Sequence, residues 1–129
     1  MNGMTAVFAA MAAAAAIHGY VFARESLLFS RVSTQQMFEV APGDVPAVKL
    51  WAFHQGVYNL LLGATAFAGA IALLMGANIV ADTLVIAASV SMIIAAMTLI
   101  AADPKGTRIP GLLAQAVPPA IALVALALI

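Results

Sequence analysis

The run LWAFHQGVYNLLLGATAFAGAIALLMGANIVA, residues 50–81, holds 32 residues without one Asp, Glu, Lys or Arg. A helix needs about 20 apolar residues to cross roughly 30 Å of hydrocarbon, so this stretch exceeds one bilayer crossing. Three more charge-free windows flank it, at 1–23, 83–102 and 109–129. Strands of a membrane barrel would show alternating segments of about ten residues instead of unbroken apolar runs. The pattern therefore predicts an all-α integral membrane protein, a four-helix transmembrane bundle forming one domain over 1–129. Its spans fall near Thr5–Phe22, Leu50–Met75, Ile79–Ala101 and Ile109–Leu128. The second is longer than a bilayer is thick and should tilt or project beyond it.

Composition excludes the other broad classes. Hydrophobic residues make up 65% of the chain, charged residues 8%, and the mean hydropathy is +1.11; soluble domains carry about a quarter charged residues. Five Lys and Arg against five Asp and Glu leave no basic patch for nucleic acid. Without cysteine there is no disulfide framework, thiolate metal site or thiol nucleophile. Met1-Asn2-Gly3-Met4-Thr5 lacks the basic start of a signal peptide, so the first apolar window is expected to stay as a span.

The basic residues orient the chain. Arg24, Arg31 and Lys49 lie in or beside the first loop, Lys105 and Arg108 in the third, and none elsewhere. By the positive-inside rule, loops 1 and 3 are expected to be cytoplasmic and both termini outside, in the cell's inner (plasma) membrane.

Small residues glue membrane helices, because lipid tails are as apolar as leucine. The expected faces are Ala9, Ala12, Ala16, Gly19 and Ala23 on span one, and Gly56, Gly63 and Ala70 on span two. They would join the two spans or form a homo-oligomer contact. On span four, Pro118-Pro119 frees backbone carbonyls, with Gln115 one turn earlier as a partner. Ser89, Ser91 and Thr98 are expected to bond back to their own helix, and Asp82 to be a solvated helix-start charge.

Polar side chains inside a membrane are costly and mark functional sites by default. His18 precedes Glu25 by seven residues on span one. Span two carries Trp51, His54, Gln55, Tyr58 and Asn59 at offsets of three and four. Antiparallel helices bring the two sets to similar depth, and Gln115 reaches the same layer. The expectation is a ligand-binding pocket in the cytoplasmic half, lined by His18, Glu25, Trp51, His54, Gln55, Tyr58, Asn59 and Gln115. It would take a small apolar or amphipathic molecule, with His18 and Glu25 as candidate catalytic acid–base groups. The plainer reading makes the same groups interhelical glue, each worth about a kilocalorie or less, in a non-catalytic oligomeric scaffold or subunit. No cofactor and no metal site is predicted; a b-type haem between His18 and His54 is the alternative. Loop residues 30–46, with an apolar patch at Met37, Phe38 and Val40, are long enough to fold over the pocket mouth.

The run His54-Gln55-Gly56-Val57-Tyr58-Asn59 resembles the Asn-Gln-Gly-x-Tyr-Asn signature of the DUF1304 family of small bacterial membrane proteins. His18, Glu25, Phe38, Gln115 and Pro118 match as well, so the resemblance covers essentially the whole chain. It implies a four-helix integral membrane protein whose biochemical role is not established. His54 stands where the family usually has Asn, and Leu60 where Gly is common. The resemblance thus implies no shared role for the His54 imidazole.

Overall fold

The computed structural model describes residues 2–129. Helix α1 spans Gly3–Phe22 and runs on through a π-turn, Ala23–Leu27. A short helix α2, Val32–Met37, and a 3-10 turn, Pro42–Asp44, lead into α3, Val45–Leu74. Helix α4 covers Asn78–Ala102, and a 3-10 turn at Gly106–Arg108 opens α5, Ile109–Leu126. The four long helices are each long and apolar enough to cross a membrane, and the expected spans fall within about five residues of them. Each long helix packs on its neighbours in sequence, and α5 returns to α1, closing the ring. The chain is an integral membrane protein built as an up-down-up-down bundle.

Local chemistry sets the helix ends. The Asn2 side chain accepts hydrogen bonds from the backbone N–H and the hydroxyl of Thr5, both at 2.8 Å, so it caps α1. Gly76 ends α3 with φ +71°. Its N–H donates to the Leu73 carbonyl and that of Ala77 to Ala72, the paired bonds of a Schellman cap. Only glycine adopts this left-handed conformation without steric cost. Gly76→Ala is therefore expected to lower stability by about 1 kcal/mol, read as an earlier midpoint in detergent unfolding followed by circular dichroism. An unchanged midpoint would mean that the cap contributes nothing.

At about 1.5 Å per residue, the 30 residues of α3 extend about 45 Å, beyond the bilayer core, as its long charge-free window predicts. The Gly76 turn is tight and α4 starts at Asn78, so the excess of α3 projects at the Val45 end. That end also carries the first and third connections. Arg108 joins them, its Nη2 lying 2.7 Å from Glu39 Oε2 and its Nε donating to Asp103 Oδ2 at 3.2 Å. The hydrogen bond from Arg108 holds the Asp103 carboxyl below its ordinary range.

The core is narrow and made of small side chains. Val7, Met11, Ala14, Ala66, Ala70, Ala81, Val85, Ala88 and Met92 are almost wholly enclosed. Gly56, Gly63 and Ala70 do form the inner face of α3, with Gly63 and Gly56 against α1. The face expected on α1 does not pack inward. Val7, Ala10, Met11, Ala14 and His18 are buried there, on the side opposite Ala9, Ala12, Ala16, Gly19 and Ala23 at 100° per residue. Alanine occurs all round this helix and so marks no face; the larger Val7, Met11 and His18 turn inward because the bundle has volume to fill. Thr98 bonds back to the Ala95 carbonyl at 2.6 Å. Ser89, expected to do the same, instead reaches Met11 Sδ at 3.8 Å across the core.

Candidate functional site at the α1–α3 seam

His18, Glu25, Ser26 and Asn59 lie along one seam between α1 with its π-turn and α3. The positions on α3 that face α1 are small, so the backbones come close. A Cβ on Gly63 would lie 3.1 Å from the Ala15 carbonyl and 3.4 Å from His18 Cβ, and one on Gly56 would collide with Ser26 Oγ. Asn59 lies between these glycines on the same face and is buried. Its Nδ2 donates to Glu25 Oε2 at 2.9 Å and to the Gln55 carbonyl at 3.2 Å.

Glu25 reaches this position through the π-turn. The Leu28 N–H donates to the Ala23 carbonyl at 2.9 Å, five residues back, and the extra residue rotates the end of α1 relative to a plain helix. Ser26 donates to the Phe53 carbonyl at 3.0 Å, fixing the turn against α3. Arg24 lies with its guanidinium carbon 5.9 Å from the Tyr20 ring centroid, a cation–π contact, while the Tyr20 hydroxyl donates to Met37 Sδ at 3.6 Å.

His18 is 1% exposed. Its Nδ1 donates to the Ala14 carbonyl at 3.0 Å, which leaves Nε2 as the acceptor nitrogen, buried without a partner. His18 and Glu25, the candidate acid–base groups, do not bond each other. The imidazole bonds its own helix, and the carboxylate is held by Asn59.

The other expected site residues lie elsewhere. Trp51 is 70% and Tyr58 52% exposed, and His54 and Gln55 are exposed as well. His54 packs edge-on to Tyr58, with centroids 4.9 Å apart. At 100° per residue the buried stripe of α3 runs Ala52, Gly56, Asn59, Gly63, Ala66, Ala70; Asn59 falls on it, whereas His54 falls opposite. The expected polar stripe is thus split between the seam and the outer surface, because the close approach of backbones at glycine and alanine set the helix rotation. Gln115 is half-buried on α5, which packs against α1 and α4.

This placement does not fit a haem held between two imidazoles, since one ring is enclosed at the seam and the other lies on the outer face. Among the described residues, no group of three or more His, Asp or Glu gathers to hold a metal.

Beside Glu25 the surface opens into a cleft of about 380 Å³, lined by Glu25, Ser26, Phe29, Pro46, Lys49 and Phe53 with three neighbours. One wall is the π-turn and the start of the first connection; the other is the projecting start of α3. Sequence reasoning singled out Glu25 alone from this lining. The available signal was that Ser26 and Lys49 flank the expected membrane boundary next to phenylalanines.

No curated protein and no solved structure matches the chain. The family model described as "Protein of unknown function (DUF1304)" matches residues 12–127, a range that contains α3, the seam and the cleft. With about nine-tenths of its length so matched, the chain belongs to the DUF1304 family.

Proposed function

We propose that this protein binds a single-chain amphipathic molecule in the cleft beside Glu25. The observation that carries this reading is the chemistry of the lining: a carboxylate and an ammonium, Glu25 and Lys49, beside Phe29, Pro46, Leu50 and Phe53. A head group that both donates and accepts hydrogen bonds meets the two charges, and its chain lies along the aromatic wall. Asn59 occupies one oxygen of Glu25 and so orients the carboxylate before the ligand arrives, which lowers the cost of binding. The first connection borders the cleft through Phe29 and Ser30 and serves as its cover. By the positive-inside rule, the cleft opens at the cytoplasmic face of the plasma membrane, with both termini outside.

Binding of a fatty acid amide to the detergent-solubilised protein, followed by isothermal titration calorimetry, is expected to saturate. Replacing a charged hydrogen-bond acceptor by a neutral one removes about 1–2 kcal/mol, so Glu25→Gln should weaken the amide about tenfold. Equal titration curves for wild type and variant would refute the reading.

A further inference from the structure

We infer that the opposite end of the bundle holds a second, separate site, selective for a net-cationic amphiphile such as a hydrophobic quaternary ammonium ion. All four long helices contribute to a cleft of about 660 Å³ there. It is lined by Met4 of α1, Leu73 of α3, Asn78, Asp82 and Ile86 of α4, and the end of α5 with the residues after it. Asp82 supplies the one charged side chain among the lining residues. Every Lys and Arg of the sequence lies at the Val45 end: Arg24 and Arg31 after α1, Lys49 at the start of α3, Lys105 and Arg108 between α4 and α5. The Asp82 carboxylate therefore has no basic side chain at its own end of the molecule.

That charge distribution selects the occupant. An apolar groove alone accepts any acyl chain, but the exposed Asp82 carboxylate on its rim adds an attraction for a cation that a neutral head group lacks. A phosphate beside that cation, as in a zwitterionic phospholipid, would meet a like charge at Asp82 and no lysine or arginine side chain at that end. A monocation with an apolar body avoids this conflict: its head pairs with Asp82, and its body fills the space between Leu73, Ile86, Leu123 and Leu126. The site shares no lining residue with the cleft beside Glu25 and stands independently of it.

The test uses benzyl(hexyl)dimethylammonium and its uncharged carbon isostere, in which a quaternary carbon replaces the nitrogen. Binding to the full-length protein in a non-ionic detergent is measured by equilibrium dialysis. Wild type is expected to hold the cation about threefold more tightly than the isostere. Asp82→Asn should erase that preference while circular dichroism stays unchanged, and Leu123→Trp, which fills the groove, should weaken both compounds. Equal affinity of wild type for the two compounds would overturn the proposal. So would a preference that survives Asp82→Asn, or cation binding unaffected by Leu123→Trp.

Discussion

Gly56→Leu is expected to separate α1 from α3 and to lower the stability of the bundle by about 3 kcal/mol. Even a single added carbon at Gly56 collides with Ser26 Oγ and lies 3.0 Å from Glu25 Cβ. The serine has no free rotation to offer, since its hydroxyl is committed to the Phe53 carbonyl at 3.0 Å. Over-packing a tight contact costs about 1–3 kcal/mol, and the broken hydrogen bond adds about 1 kcal/mol. The result is read as the midpoint of unfolding when dodecyl sulfate is titrated into protein in bicelles, followed by circular dichroism. Gly19→Ala is the matched control. No atom lies within 4 Å of a Cβ at Gly19, and alanine favours a helix over glycine by about 0.5–1 kcal/mol. The two variants should thus move the midpoint in opposite directions. Equal shifts would mean that the seam is not the close helix contact described here.

The contrast between Gly56 and Gly19 also shows what the sequence discloses. Charge-free windows mark the spans, because an unpaired charge in hydrocarbon is costly whatever the details of packing. Glycines spaced by seven mark the inner face of α3, because in a helix that spacing returns to one side. The same logic fails on α1, where alanines at nearly every position give no contrast between faces. It also fails for the polar stripe. Offsets of three and four join Trp51, His54, Gln55, Tyr58 and Asn59 into one band, but that band spans about 140° of the circumference, and only its Asn59 edge falls on the close helix contact. Helix α2 escapes the sequence for a different reason. Its end is a Schellman cap, with Val40 N–H donating to the Gln35 carbonyl and Glu39 N–H to Gln36. The left-handed position is held by Glu39, at φ 57°, where glycine is the usual signal. Its carboxylate meets Arg108 from the other connection, a long-range contact that no local pattern announces. The π-turn is equally silent in the sequence, yet it brings Glu25 to Asn59.

The Asn59–Glu25 pair should show the largest pairwise coupling in the molecule. In Asn59→Ala the Glu25 carboxylate loses its side-chain donor at 2.9 Å beside a buried seam, and an unmatched charged acceptor there costs about 2–3 kcal/mol. Glu25→Ala strands the amide instead, which is milder: Nδ2 keeps its bond to the Gln55 carbonyl at 3.2 Å. The double variant removes both groups and leaves nothing unsatisfied, so its loss should be smaller than the sum of the single losses. Coupling across membrane helices averages about 0.6 kcal/mol for hydrogen bonds generally and reaches about 1.7 kcal/mol at most. A charge-assisted bond is roughly twice as strong as a neutral one, which places this pair near 1.5 kcal/mol. The same bicelle titration on wild type, both single variants and the double variant gives the number. Coupling below about 0.5 kcal/mol would mean that Asn59 serves only its own helix through Gln55. Glu25 would then enter the cleft without the orientation on which the proposed ligand binding rests.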